Sequence, residues 1–286
     1  MRVQVPKYTA AVITLPQEKT VHDAVFLMLQ NDIKRIVVVK ENIPIGIVTE
    51  RDIGRFLEHD TSSRALDKIR LEEVMSQNVV TINEEQEDLS IQAAIRMVTF
   101  QISSVIVINE NGALVGIITK SDIAKNFAQL YRGTYRVRNY MSKKLMTCRK
   151  SDSLLFALNM LNKSKISRLV VTDNEGKAVG IISYDTFLRN SGYFKAEKTT
   201  RDYLLPSTSA KNMTVRSLLG QDLLVVRSDD DLAQAAKLMT EYKVSGMPVI
   251  DANDNLDGII SSSDVVRAYS EIETHFILRK KDSHFV

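Results

Sequence analysis

The chain repeats itself four times, and this constrains its fold more than any other feature. The clearest mark is a glycine-led apolar strand that runs into an aspartate, Gly46-Ile47-Val48-Thr49-Glu50-Arg51-Asp52. It returns as Gly116-Ile117-Ile118-Thr119-Lys120-Ser121-Asp122 and as Gly258-Ile259-Ile260-Ser261-Ser262-Ser263-Asp264. A fourth version, Gly180-Ile181-Ile182-Ser183-Tyr184-Asp185, reaches its aspartate one residue early, and Thr186 stands where the others carry Asp. Upstream, Ala24, Ala93, Ala157 and Ala235 occupy equivalent places in amphipathic segments, and nine residues after each comes Ile33, Ile102, Ile166 or Val244. From alanine to glycine the spacing is 22, 23, 23 and 23 residues, and the units recur every 64 to 78. Such periods exceed those of ordinary solenoids, so each unit reads as a small α/β module.

Within a unit the patterning predicts a helix first: 21–32, 89–101, 154–163 and 232–242. Thr20, Asp88, Ser153 and Asp231 are placed to cap these helices, their oxygens accepting free first-turn amides. A β-branched run follows, then a turn such as Asn109-Glu110-Asn111-Gly112, then the glycine-led strand returning as a hairpin. A second helix opens near the Asp, and a short strand precedes the whole, as at 79–82 and 223–226. The expected fold class is therefore α/β (α+β), with four β-α-β-β-α repeats over 1–66, 67–132, 133–195 and 196–286. A unit of about 60 residues is only marginally stable alone. Two pseudo-twofold pairs are expected, 1–132 and 133–286, with a boundary at Tyr131–Arg138 and a long connection over Ser191–Met213. The four glycines are expected to serve backbone geometry at the hairpins.

The registered Gly-Ile-Ile/Val-Thr/Ser-x-x-Asp ends, the Ala-to-Ile spacing and the Val74-Met75 and Tyr140-Met141 starts resemble the cystathionine-beta-synthase (CBS) domain family over roughly 8–270. Four such domains with no other domain resemble the gamma subunit of AMP-activated protein kinase and stand-alone microbial proteins. The resemblance implies clefts between paired repeats that take AMP, ADP, ATP or S-adenosylmethionine and regulate a separate partner protein. A carboxylate suits a ribose diol, and an arginine fork suits a phosphate. By the family's geometry, Thr119 and Asp122, with Ile117 on the strand before them, face Ile33, Lys34 and Arg35. Ser261 and Asp264, with Ile259, face Ile166, Ser167 and Arg168. Thr49 and Asp52 face Ile102, Ser103 and Ser104, while Ser183 and Asp185 face Val244, Ser245 and Gly246. Arg35 and Arg168 have only Ser104 and Gly246 as counterparts, which ranks the Asp122 and Asp264 clefts first. Asp185, out of register by about 100° of helix, ranks last.

Plainer roles compete. Each Asp can merely cap its helix, and Arg35 and Arg168 can be solvated strand-edge charges. His22, His59, His275 and His284 share no metal spacing. Cys148 is expected to be a buried structural thiol, while Met28, Met97 and Met239 are expected to be core residues. There is no Walker loop, nucleotide-binding glycine fingerprint, nucleophile elbow or paired-carboxylate signature, so no catalysis, required cofactor or metal is expected. A single cysteine and the lack of an apolar run beyond six residues lead to the expectation of a cytoplasmic chain without a membrane partner. The net charge of +3 disfavours nucleic acid, although Arg132, Arg136 and Arg138 leave that alternative open beside a scaffold with degenerate clefts. A homodimer is the remaining expectation for assembly.

Overall fold

The computed structural model describes residues 12–60, 62, 64–164, 166–190, 213–220 and 222–282. Most of the Ser191–Met213 connection lies outside them. The first repeat holds β1 (Thr14–Pro16), α1 (Val21–Gln30), β2 (Arg35–Lys40), β3 (Ile43–Thr49) and α2 (Glu50–His59). The second holds β4 (Thr81–Asn83), α3 (Leu89–Thr99), β5 (Ser104–Ile108), β6 (Leu114–Thr119) and α4 (Lys120–Leu130). The third has β7 (Thr147–Arg149), α5 (Leu154–Lys163), β8 (Arg168–Thr172), β9 (Ala178–Ser183) and α6 (Tyr184–Asn190). The fourth has β10 (Val226–Arg227), α7 (Leu232–Glu241), β11 (Gly246–Ile250), β12 (Leu256–Ser261) and α8 (Ser262–Asp282).

Each repeat forms its own three-stranded sheet, the first strand parallel to the second and the second antiparallel to the third. The β-α-β-β-α reading of the sequence is thus what the chain adopts. Thr20, Ser153 and Asp231 cap their helices, accepting from the amides of Asp23, Phe156 and Ala233. Asp88 does not. It sits in the left-handed region at φ 53° and makes no side-chain cap bond. The turns work as expected: Asn109 Oδ1 accepts from the amides of Asn111 (3.0 Å) and Ala113 (2.9 Å), and Gly112 supplies a φ of 76°. Met28, Met97 and Met239 are core residues, and Cys148 is buried, its thiol pushed up to about 11 by desolvation.

The hairpin glycines need correction. Gly46, Gly180 and Gly258 are absent from the positive-φ residues, so they are not there for turn geometry. They make room for a neighbouring side chain. A Cβ on Gly46 would collide with Met75, lying 2.9 Å from its Cγ, and one on Gly180 would meet Leu219. A Cβ on Gly258 would lie 3.0 Å from the Ser142 carbonyl and 3.1 Å from Met141 Sδ. The methionines at 75 and 141 therefore seat segments that bridge to the strand edges, Ile47 with Ser76 and Ser142 with Ile259.

The chain divides into two compact units, and they are not 1–132 and 133–286. One unit combines the second and fourth repeats, Val80–Lys144 with the chain from Leu224 onward; the other combines the first and third, Ile13–Val79 with Leu145–Leu223. In the former, α4 packs on α7 and α8, and α3 packs on α8. Its core joins Ala93, Ala94, Met97, Ala124 and Phe127 to Leu232, Ala236, Met239, Val265 and Ala268. In the latter, α2 packs on α6, and Val21, Met28 and Ile53 share a core with Leu154, Leu161, Ile182 and Phe187. The physical reason is that each repeat's helices carry an apolar face of their own, and small residues such as Ala93, Ala94, Ala235 and Ala236 let those faces approach closely. The expectation that each half of the sequence owns a self-sufficient core is therefore overturned.

Candidate functional sites at the helix starts

In three repeats the strand ends on Thr or Ser and the following helix opens with Asp at its third position. The geometry is the same each time. Asp52 Oδ2 accepts from the Thr49 amide (2.9 Å) and hydroxyl (2.6 Å), while the Asp52 amide donates to Thr49 Oγ1 (3.2 Å). Asp122 Oδ2 does the same for Thr119 at 2.8 and 2.6 Å, and Asp264 Oδ2 for Ser261 at 2.9 and 2.7 Å. These are capping boxes. In the third repeat Thr186 fills the role: its hydroxyl accepts from the Ser183 amide at 3.1 Å. Asp185 points elsewhere and takes a bond from Arg189 Nε at 2.8 Å. Asp264 is 8% exposed and also pairs through Oδ1 with Arg267 (3.3 Å). Its removal would leave the Ser261 amide and hydroxyl without the acceptor they have here.

The helix start is tied to the strand start of the same repeat. The amides of Glu50, Lys120 and Ser262 donate to the carbonyls of Lys34 (3.4 Å), Ser103 (3.2 Å) and Ser245 (3.0 Å). Arg35, Ser104, Arg168 and Gly246 then open β2, β5, β8 and β11. Ile33, Ile102, Ile166 and Val244 pack partly buried on the cores. Ile117 is buried in β6, and Ile259 lies on β12 beside Ser142. The groupings expected from sequence, such as Asp122 with Ile33, Lys34 and Arg35, draw their members from different units and stand as proposals.

Within each unit the two repeats also touch through these helix starts. Arg51 donates to Ser167 across the first and third repeats. Lys120 Nζ donates to Ser263 Oγ at 2.8 Å across the second and fourth. Burial pushes the Glu50 carboxyl up to about 8, and the negative charge of Asp185 adds to the rise against the pull of Lys34 and Arg35. Asp52 also lines a cavity of about 490 Å³ with Arg55, Phe56, Asp60, Arg64 and Val74. Sequence reasoning passed over Glu50, Arg51, Lys120, Arg55 and Phe56. The signal for Glu50, Arg51 and Lys120 was the charge difference at matching repeat positions, Glu50 against Lys120, Tyr184 and Ser262, and Arg51 against Ser121, Asp185 and Ser263.

Among the described residues no group of three or more His, Cys, Asp or Glu side chains is placed to hold a metal ion, and no helix is long and apolar enough to cross a membrane. The basic stretch is internally engaged: Arg136 donates to the Asp229 carbonyl (3.2 Å) and Arg138 pairs with the Asp229 carboxylate.

The model of the CBS domain matches residues 7–59, 71–129, 137–192 and 215–271, and the chain belongs to this family. It is 22% identical to protein MJ1225 of Methanocaldococcus jannaschii over 273 residues, 91% of this chain and 95% of that one. The crystal structure of MJ1225, a protein proposed as an archaeal homologue of g-AMPK, has the same fold, with a TM-score of 0.79 at 21% identity over 92% of this chain and 98% of that one. A conserved protein from Pyrococcus horikoshii superposes with a TM-score of 0.64 at 23% identity, covering 94% and 100%. A CBS domain-containing protein of Dictyostelium discoideum is 34% identical over 131 residues, 46% of this chain and 88% of its own.

Proposed function

We propose that the protein is a non-catalytic regulator that binds adenosine-containing ligands, AMP, ADP, ATP or S-adenosylmethionine, at the Asp-bearing helix starts. One observation carries the reading. The third repeat caps its helix with the hydroxyl of Thr186, so capping alone does not require a carboxylate. The other three place Asp there and bond the cap residue through Oδ2, and in Asp264 the second oxygen holds Arg267. A second carboxylate oxygen suits a ribose hydroxyl, which needs an acceptor held in place. At Asp52 the neighbouring cavity adds a flat ring, Phe56, and the cation Arg55, while Arg64 on the same wall is paired with Glu73. These are the three chemistries an adenosine phosphate asks for: stacking, diol acceptance and anion pairing.

The proposed ligand residues are Thr49, Asp52, Thr119, Asp122, Ser261 and Asp264, and within the unit of the first and third repeats Lys34, Arg35 and Arg168 are the proposed phosphate partners. Ile33, Ile102, Ser103, Ile117, Ile166, Ser167 and Ile259 supply the apolar and hydroxyl walls. A bound ligand favours one arrangement of the repeats, and a separate partner reads that preference. The test is a thermal-shift panel of the full chain with AMP, ADP, ATP, S-adenosylmethionine, NAD and a short RNA. Adenosine-containing ligands are expected to raise the melting midpoint, by about 2.7 kcal/mol of stabilisation at a hundredfold excess over Kd. No shift with any of them, or a shift with RNA alone, would overturn the reading.

A further inference from the structure

We propose that Arg267 is a latch on the fourth repeat: it holds the carboxylate oxygen of Asp264 that a ribose diol would take, so a ligand must displace the guanidinium to use this aspartate fully. The inference rests on the nucleotide reading above and refines it. It starts from a fourfold feature of the sequence. Three residues after Asp52, Asp122 and Asp264, and after Thr186 in the third repeat, stands a cation: Arg55, Lys125, Arg267 and Arg189. That spacing places it about one helical turn on, on the same face as the cap residue. The four are engaged differently. Arg55 lines the cavity beside Asp52, Lys125 is exposed, and Arg189 pairs with Asp185 and with Asp32 of the first repeat. Arg267 is bonded to its own cap aspartate. One nitrogen, Nη2, donates to Asp264 Oδ1 (3.3 Å) and to the Tyr140 carbonyl (2.7 Å).

Counting acceptors shows what this contact does. An ionised carboxylate offers about four lone-pair sites, and a ribose diol asks for two of them. Among the described residues, the donors to the Asp52 carboxylate are the Thr49 amide and hydroxyl, both on Oδ2. That leaves Oδ1 for both ribose hydroxyls. Asp264 gives the same two positions to Ser261 and a third to Arg267, so one remains. It can accept one hydroxyl and not the pair. The two ends of the contact differ in exposure: the Asp264 side chain is 12% exposed and that of Arg267 43%, so the guanidinium has solvent to swing into and the carboxylate does not. The carbonyl that holds Arg267 is itself seated on β12. Tyr140 precedes Met141, whose sulfur lies 3.1 Å from where a Cβ on Gly258 would stand, and Ser142 exchanges backbone bonds with Ile259 at 2.9 and 3.0 Å. Arg267 is thus anchored beside the carboxylate by a fixed segment of its own unit.

The test is calorimetric titration of AMP and of 2′-deoxy-AMP into the full chain, native and Arg267→Met. The two ligands share base and phosphate and differ by a single hydroxyl. Arg267→Met is expected to raise the affinity for AMP at one site by about three- to tenfold, the span of one hydrogen bond, and to leave 2′-deoxy-AMP nearly unmoved. Adding Asp264→Asn to Arg267→Met is expected to remove the gain. Arg267→Ala is expected to gain in the same direction, so the result does not hang on the folding of one variant. A loss of affinity for both ligands would show that Arg267 pairs with the phosphate, and would overturn the latch. Heat from the native chain with no gain for AMP in either Arg267 variant would overturn the latch and spare the nucleotide reading. No heat from any of these proteins would overturn both.

Discussion

A fragment ending at residue 132 is expected to form dimers or larger species and to show no cooperative melt as a monomer. Such a fragment holds half of each core. From the second repeat it would leave Ala93, Ala94, Met97, Ala124, Phe127 and Tyr131 without the α7 and α8 side chains that cover them. From the first it would strip Val21, Met28 and Ile53 of Leu154, Leu161 and Phe187. Exposing a large buried side chain costs about 1.5–3 kcal/mol. Several at once exceed the roughly 5–15 kcal/mol that stabilises a whole domain. The cheapest remedy for the fragment is a second copy, whose equivalent helices offer the same apolar faces. Sedimentation at several concentrations, followed by thermal melts, checks this. A monomeric fragment with a sharp melt would show that the sequence halves are independent after all.

Phe127→Ala is expected to destabilise the unit of the second and fourth repeats by about 3–5 kcal/mol, the usual cost of truncating a buried aromatic side chain. Phe127 is 0% exposed, on the face of α4 that meets α7 and α8. Its ring lies 5.0 Å from Tyr131 and 6.2 Å from Tyr135, centroid to centroid. Tyr131 in turn stacks edge-on against Tyr269 of the fourth repeat and donates to the buried Glu273 at 2.5 Å. Losing the ring opens a cavity beside a carboxylate whose hydrogen bond depends on that packing. Chemical denaturation of the full chain measures the effect, and Phe127→Leu is expected to recover more than half of it. A loss below about 1 kcal/mol would mean that the joint core of the two repeats collapses around the gap.

The fold was legible because local patterning and local structure agree in every repeat. The Ala-to-Ile register marks the buried helix face, Asn109 and Gly112 mark the turn, and Thr49 with Asp52 marks the helix start. What stayed hidden is what local patterning does not encode. Four helices with the same apolar spacing can pair in several ways, so the joining of Met97 to Met239, rather than of one half of the chain to itself, follows from shape alone. Asp88 has the right residue type for a cap, yet its left-handed backbone turns the side chain away from the free amides. Gly46 looks like a turn glycine, and its reason lies 29 positions on, in Met75. At the candidate sites, Asp185 was legible as out of register because one residue rotates a helix by about 100°. Its neighbour Arg189 also pairs with Asp32 of the first repeat, and that was not legible, because it needs two repeats to meet.

The most direct measurement of the central account is calorimetric titration of AMP into the full chain, native and Asp122→Asn. An asparagine keeps a carbonyl oxygen for the Thr119 cap, so the helix start survives, while the charged acceptor for the ribose is lost. A hydrogen bond to a charged group contributes about 1.5–3 kcal/mol, which corresponds to roughly 10- to 100-fold in affinity. The account expects saturable heat from the native chain, and in Asp122→Asn one site weakened by that factor, with the melting midpoint nearly unchanged. No heat with AMP, ADP, ATP or S-adenosylmethionine, or identical isotherms for the two proteins, would leave the aspartate a helix cap and nothing more.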